Sequence, residues 1–96
     1  MRIRLRLAAA AEVEGARGWY DGQRVGLGDE FVEALEQAIE LVGTFPDAFP
    51  EIANSYRRAL LHRFPYSLYY RVERDVIDVV ACLHASRSPE AWQSRG

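Results

Sequence analysis

Arg63 to His84, RFPYSLYYRVERDVIDVVACLH, is the stretch that decides the fold. Between Tyr66 and Glu73 apolar and polar side chains alternate, and this period of two is typical of a strand with one buried face. Val76 to Leu83 is apolar on nearly every position and rich in β-branched residues, which favours a central strand. The polar residues between the two segments predict a tight turn, so we expect an antiparallel hairpin at the centre of a sheet.

The same alternation assigns side chains to the two faces of these strands. In the first strand it predicts a core-facing set of Tyr66, Leu68, Tyr70 and Val72, and an opposite set of Ser67, Tyr69, Arg71 and Glu73. In the second strand it places Ile77, Val79, Ala81 and Leu83 together, with Val76, Val80 and Cys82 on the other face. Both faces of the second strand are therefore expected to be covered.

The rest of the chain predicts one strand and two helices before this hairpin. Residues 2–7 alternate between arginine and an apolar residue, which predicts a strand with one buried face and an arginine ladder on the other. Residues 8–20 have apolar side chains at helical spacing, and a second helix is expected to begin near Asp29 and to end at Gly43. A turn signal at Asp21-Gly22 separates the two, so we expect a helical hairpin.

After the helices we expect a proline-containing loop over 44–55 and an irregular strand over 56–64, followed by the central hairpin. The C-terminal segment predicts a short helix with Ser88 as N-cap and Pro89 at the first helical position. The order is an N-terminal strand, an α-helical hairpin, a three-stranded antiparallel sheet and a short C-terminal segment, which is an α+β fold. At 96 residues, one domain spanning 1–96 is expected.

Composition narrows the functional classes. Apolar residues make up 49% of the chain and charged residues 27%, which is typical of a globular domain rather than a disordered segment. The single cysteine, Cys82, and the absence of an apolar run of ~20 residues predict a cytoplasmic location and no membrane association. Two histidines 22 residues apart and one buried cysteine predict no metal site, and no glycine-rich phosphate loop or other cofactor motif is present.

Charge is unevenly distributed, although the net charge is only −2. All 12 basic residues are arginine; residues 29–51 hold seven acidic side chains and no basic one, whereas residues 57–74 hold five arginines and one acid. An acidic helical half and a basic sheet half are therefore predicted. A basic sheet suits nucleic acid or an acidic protein segment, and it is equally compatible with an ordinary solvated surface.

Several short motifs follow one another in a characteristic order. They are Trp19-Tyr20, Gly26-Leu27 with Phe31, Phe45-Pro46, Arg63-Phe64-Pro65-Tyr66, Tyr70-Arg71-Val72, and the tail His84-Ala-Ser-Arg87-Ser-Pro89-Glu-Ala-Trp92. With these motifs the chain resembles the RelE/ParE family of bacterial type II toxins over essentially its whole length. The Phe-Pro-Tyr strand opening and the His…Arg…Pro…Trp tail are more similar to the ParE branch.

The resemblance implies a toxin that is paired with a cognate antitoxin, whose partly disordered C-terminal segment neutralises it in a toxin–antitoxin hetero-oligomer. RelE-like members cut messenger RNA on the ribosome, whereas ParE-like members inhibit DNA gyrase and are not nucleases. Fold alone does not choose between these activities. For the antitoxin we expect an amphipathic segment that docks across the helical hairpin and along the sheet edge.

The residues favour the non-hydrolytic branch. RNA cleavage by 2′-hydroxyl attack needs a base, an acid and cations around the phosphate. If the chain is a ribosome-dependent nuclease, its candidates are His84, Tyr69, Arg71 and Arg87. The nuclease branch usually carries a tyrosine or histidine near the C-terminus, where this chain has Trp92, and an indole N–H does not titrate in water.

The preferred hypothesis is therefore a gyrase inhibitor for which no catalytic residue is expected. Its predicted target-binding residues are Arg63, Arg71, Arg87 and Trp92, because arginine and tryptophan most often dominate interface energy. Trp92 has a second possible role as a cap on the sheet core, and the sequence leaves both roles open. A nuclease acting on ribosome-bound mRNA and a non-toxic relative that serves only as a binding module are the alternatives.

Overall fold

The structure is a computed structural model that describes residues 2–88 and 90–95, without the side chain of Ala91. Its elements are β1 (Arg2–Leu5), α1 (Leu7–Gln23), α2 (Leu27–Thr44), β2 (Glu51–Ala53), β3 (Tyr56–Leu60), β4 (Tyr66–Glu73), β5 (Val76–His84) and α3 (Glu90–Gln93). The α+β class and the element order are as predicted. Pro89, the predicted first residue of the last helix, lies outside the described residues.

The two long helices form a hairpin that covers one side of the sheet. Helix α1 continues through Asp21-Gly22 to Gln23, and α2 begins at Leu27 rather than at Asp29, so the connection is shorter than predicted. Asp21 explains this difference: its carboxylate accepts hydrogen bonds from the N–H groups of Gly26 (3.0 Å) and Gly28 (3.2 Å). Asp21 thus satisfies free N–H groups at the start of α2 instead of ending α1.

The sheet has five strands in the order β1-β5-β4-β3-β2. The three-stranded antiparallel unit is β3-β4-β5; β1 was predicted as a strand without a stated neighbour, and β2 was not predicted. Strand β1 joins the same sheet, parallel to β5, and β2 forms inside the proline-containing loop and pairs with β3. The predicted third strand also ends earlier, at Leu60.

A β-bulge in β5 corrects the predicted face assignment. Tyr69 lies opposite Ala81, and Tyr70 lies opposite Val79, so Val80 is the extra residue. Because a bulge places two successive residues on one side, the alternation reverses after it. Ile77, Val79 and Cys82 therefore face the helices, whereas Val80, Ala81 and Leu83 lie on the other side, so the expectation that Ala81 and Leu83 share a face with Ile77 and Val79 was wrong.

The main core lies between the helices and the sheet. It contains the apolar stripes of both helices, including Phe31, and the helix-facing side chains of β3, β4 and β5. Burial raises the pKa of the Cys82 thiol to about 12, and the buried Tyr70 hydroxyl donates to the carbonyl of Pro46 at 2.7 Å. No helix among the described residues is both long and apolar enough to cross a membrane.

Candidate target-binding face

The side of the sheet that faces away from α1 and α2, called the open face below, holds three of the six predicted site residues, namely Tyr69, Arg71 and Trp92. Pairing and alternation place on it Arg2 and Arg4 of β1, Asp78 and the Val80–Ala81 bulge of β5, Tyr69 and Arg71 of β4, and Tyr56 and Arg58 of β3. Arg6, which follows β1, reaches Asp78 on the same face. The chain after β5 returns across this face. Its short helix α3 then covers the central part of the face.

Trp92 is the residue with which the C-terminal segment covers the open face. Its side chain is fully buried, stacked on Tyr69 (ring centroids 4.8 Å apart, 28° between planes) and edge-on to Tyr56 (4.9 Å, 71°). Each such aromatic pair contributes about 0.5–1.5 kcal/mol beyond the burial of its area. In this conformation Trp92 therefore caps the sheet, which is the second of the two roles that the sequence left open.

The docked C-terminal segment leaves two buried polar atoms of the aromatic cluster without hydrogen-bond partners among the described residues. Among the described residues, neither the indole Nε1 of Trp92 nor the hydroxyl of Tyr56 has a hydrogen-bond partner, although both are buried. An unsatisfied buried group costs about 1–3 kcal/mol. These two groups offset part of the stabilisation that the aromatic contacts supply, so the segment is held less firmly than its burial alone indicates.

A salt bridge fastens the C-terminal segment to the edge of the sheet. The guanidinium of Arg95 donates to both carboxylate oxygens of Glu12 (2.8 and 3.0 Å) and to the carbonyl of Val80 (3.1 Å), while Glu12 also accepts from the N–H of Cys82 (3.1 Å). Since β1 ends at Leu5, the two side chains satisfy backbone groups of β5 that no strand reaches. The hydrogen bond to Glu12 raises the pKa of Arg95.

Asp78 neutralises part of the arginine ladder. Its buried carboxylate accepts from Arg6 (2.7 Å at the shortest) and from Arg4 (3.0 Å). The hydrogen bond from Arg6, reinforced by that from Arg4, lowers the pKa of Asp78 to about 2 despite its burial. Interleaving one acid among like charges relieves their repulsion.

Arg71 lies beside the aromatic cluster. Its guanidinium carbon is 4.8 Å from the ring centroid of Tyr56, a cation–π distance, and it forms an ion pair with Glu73 at 2.8 Å. The structure thus brings together three of the predicted site residues, Tyr69, Arg71 and Trp92. Only Arg71 of the three retains appreciable exposure.

The other predicted site residues lie elsewhere. Arg63 is in the β3–β4 turn, where it is exposed, has φ +71° and forms an ion pair with Glu30 at 3.0 Å. Arg87 is exposed in the turn after β5 and donates its backbone N–H to the carbonyl of His84 (2.9 Å). His84 pairs with Tyr66, so its side chain belongs to the helix side of the sheet, opposite to Tyr69.

The environment of His84 is that of an oriented surface histidine. Its Nδ1 accepts the backbone N–H of Ser86 at 3.1 Å and lies 2.8 Å from the hydroxyl of that residue. The ring borders an aromatic groove of about 530 Å³, whose other lining residues are Gly15, Ala16, Trp19, Tyr20, Pro65 and Tyr66. Trp19 in this groove is 60% exposed, which makes the groove an apolar surface available to a partner.

Sequence reasoning missed Asp78 and the Glu12–Arg95 pair. Asp78 had a signal, since it is the one acidic residue inside an otherwise apolar central strand and such a group needs partners. The sequence contains no signal for the Glu12–Arg95 contact, because the two residues are 83 positions apart. Among the residues that the structure describes, no group of three or more His, Cys, Asp or Glu side chains is placed to hold a metal ion.

Comparison with known proteins agrees with this architecture. The family model described as the ParE toxin of the type II toxin–antitoxin system, parDE, matches residues 3–89. A comparison with curated protein sequences finds no match. Among solved structures, a chain of the chromosomal ParDE toxin–antitoxin system from P. aeruginosa superimposes with a TM-score of 0.66 at 19% identity, covering 88% of this chain and 95% of that one. At this identity the structural likeness supports the fold, and the family match carries the assignment: the chain belongs to the ParE toxin family of type II toxin–antitoxin systems.

Proposed function

We propose that this protein is a cytoplasmic ParE-like toxin, one domain over residues 1–96, that inhibits DNA gyrase without hydrolytic chemistry and is neutralised by a cognate antitoxin. The observation that carries the non-hydrolytic part is the separation of its two candidate proton carriers. His84 lies on the helix side of the sheet, whereas Tyr69 lies on the open face beneath Trp92. A general acid and a general base must both reach the reacting phosphate, and these two side chains do not share a face.

Inhibition without chemistry requires a binding surface. Of the four predicted target-binding residues, Arg63 and Arg87 are exposed, and Arg71 is partly exposed beside Tyr56. Trp92 would reach a target only after the C-terminal segment leaves the sheet, since its side chain is fully buried. We therefore assign the first contact to Arg87 and Arg63, with Trp92 as an anchor in any complex in which that segment is displaced.

The proposed antitoxin has two surfaces to use. One is the aromatic groove beside α1 with the exposed Trp19, and the other is the edge of the sheet at β1, whose outer side pairs with no strand of the part of the chain that the structure describes. An amphipathic segment that covers both would remove apolar surface from water and supply partners for free backbone groups. The expected product is a toxin–antitoxin hetero-oligomer.

The first test is induced expression in a bacterial host that carries a DNA-damage reporter, with bulk translation followed in parallel. The proposal predicts an early reporter signal while translation continues. Early collapse of translation with a silent reporter would instead support ribosome-dependent RNA cleavage, for which the Tyr56–Arg71 arrangement on the open face is the relevant feature. Normal growth with soluble protein would support the third alternative, an inert binding module.

A second test uses purified gyrase and three single variants. Arg63→Ala and Arg87→Ala should each weaken inhibition of supercoiling, by about tenfold for a residue that contributes about 1.4 kcal/mol to binding. Arg58→Ala is the matched control, because Arg58 is exposed on β3 and has no carboxylate partner among the described residues. Equal inhibition by all three variants would contradict the assignment of the contact.

A further inference from the structure

Glu30 joins two exposed arginines that lie in different parts of the fold. From the first turn of α2, its carboxylate forms an ion pair with Arg63 through Oε1 (3.0 Å) and one with Arg24 through Oε2 (3.0 Å). Arg24 lies between α1 and α2, whereas Arg63 lies in the β3–β4 turn. Hydrogen bonds from Arg24 and Arg63 lower the pKa of Glu30. The charged carboxylate therefore connects the β3–β4 turn to the helical hairpin, and each of its oxygens has its own arginine.

The backbone fixes the point from which the Arg63 side chain starts. Arg63 has φ +71°, a left-handed conformation that residues other than glycine seldom adopt. The next residue, Phe64, is buried in the main core, where its ring packs edge-on against Phe31 (centroids 5.4 Å apart) and Tyr20 (4.9 Å). Because this anchor is one residue away, the turn cannot relax to a common conformation without moving core side chains.

The Arg63 side chain is exposed and yet held in place. Solvent reaches 54% of it, while its guanidinium carbon lies 5.4 Å from the ring centroid of Phe64 and its Nη2 is paired with Glu30. Ordering a long, flexible side chain during association reduces affinity. In this protein the fold has already ordered Arg63, and the guanidinium carries further N–H donors for a target.

We propose that Glu30 is a positioning residue of the target-binding site, and that it holds the Arg63 guanidinium in the orientation in which Arg63 contacts the target. This role rests on the proposed function, in which Arg63 contacts gyrase, and it adds the residue that prepares Arg63 for that contact. Glu30 need not touch the target itself, since its side chain is only 34% exposed and both carboxylate oxygens are engaged.

Inhibition of supercoiling by purified gyrase tests the proposal with two variants of the full chain. Glu30→Ala should weaken inhibition about three- to tenfold, because Arg63 must then be ordered during binding. Glu33→Ala is the matched control, since Glu33 is exposed on the same helix, carries the same charge and lines the same surface recess beside Arg63. Unchanged or stronger inhibition by Glu30→Ala, or an equal loss in Glu33→Ala, would overturn the proposal.

A double-mutant cycle separates positioning from a direct contact or a role in the fold. In an Arg63→Ala background there is no guanidinium to hold, so Glu30→Ala should cause no further loss of inhibition. The same loss in both backgrounds would show that Glu30 acts independently of Arg63. An exposed ion pair adds little to stability, so the urea midpoint of Glu30→Ala should stay near that of the parent. A large fall in that midpoint would attribute the loss to the fold, and either result would overturn the proposal.

The free protein provides a readout that does not depend on gyrase. The ¹⁵N order parameter of the Arg63 Nε should fall in Glu30→Ala and stay near the parent value in Glu33→Ala, because only Glu30 is paired with this guanidinium among the described residues. An order parameter that is already low in the parent, or that does not change in Glu30→Ala, would contradict the positioning role.

Failure of the positioning role and failure of the proposed function give different results. If the parent inhibits gyrase and Arg63→Ala weakens that inhibition, but Glu30→Ala matches the parent, the proposed function stands and the positioning role is wrong. If the parent does not inhibit gyrase, the proposed function is wrong and the positioning role falls with it.

Discussion

Asp78→Asn is the substitution for which the structure gives the clearest expectation. The Asp78 side chain is completely buried, and its carboxylate accepts hydrogen bonds from Arg4 and Arg6. Asparagine has nearly the same shape but no charge, so the change removes the ion pairs without leaving a cavity. The two arginines can be rehydrated in the variant, because their side chains are 60% and 32% exposed.

The magnitude follows from the pKa of Asp78. The arginines lower it from an ordinary value near 4 to about 2. At about 1.4 kcal/mol per pKa unit, the charged form stabilises the fold by about 2–3 kcal/mol. Since the folded-state pKa is depressed, this contribution is complete above pH ~4 and is lost as the pH falls through ~2.

Urea unfolding at a series of pH values measures this contribution. At neutral pH, Asp78→Asn should unfold with a free energy about 2–3 kcal/mol below that of the parent, which corresponds to a Tm lower by roughly 10–20 °C in a domain of this size. The difference should shrink between pH ~4 and pH ~2. Asp75→Asn, in the exposed β4–β5 turn, is the control and should change little. A difference that is negligible at neutral pH, or that does not depend on pH, would refute the reasoning.

Three further substitutions and one thiol reagent probe the packing. Gly15→Ala should stabilise α1 by up to ~1 kcal/mol, because a Cβ at this position meets no other atom. Gly28→Ala should destabilise the fold by about 1–3 kcal/mol, because its Cβ would lie 2.6 Å from a backbone oxygen of α1. Thermal unfolding should therefore give a higher Tm for the first variant and a lower Tm for the second. The Cys82 thiol should react with a disulfide reagent at mildly alkaline pH only in urea, since burial raises its pKa to about 12, and rapid reaction of the native protein would contradict this. Trp19→Phe leaves Trp92 as the only tryptophan, and its fluorescence should resist aqueous quenchers while the C-terminal segment stays docked; easy quenching in the folded variant would show that it is undocked.

The central hairpin and the arginine ladder could be predicted because polar and apolar residues alternate in them. The β5 bulge could not, since Val80 and Ala81 are both apolar and a change of face between them leaves no mark in the sequence. The short connection between the helices was missed for a different reason. Aspartate is common in turns, but the carboxylate of Asp21 accepts hydrogen bonds from N–H groups that come five and seven positions later.

The candidate site was predictable as a set of residue types but not as an arrangement. Tyr69, Arg71 and Trp92 were identified from the sequence, yet the stacking of Trp92 on Tyr69 depends on a C-terminal segment that reverses direction after β5. Nothing in the periodicity of that segment encodes its docking place. Likewise, His84 and Tyr69 both lie on the hairpin, and only the register shows that they face opposite sides.

Charge compensation on the open face gives a separate reason to prefer a protein target over RNA. Affinity for a nucleic acid comes largely from cations that release counterions from phosphates. Here Arg4 and Arg6 are engaged by Asp78, and Arg71 is engaged by Glu73. A phosphate would have to displace those carboxylates before it gained the same contacts. Binding to a protein target does not require an array of unpaired cations, because a few exposed side chains can supply most of the binding energy. The ion pairs that stabilise this sheet therefore weaken it as an RNA-binding surface, which is consistent with the protein target proposed above.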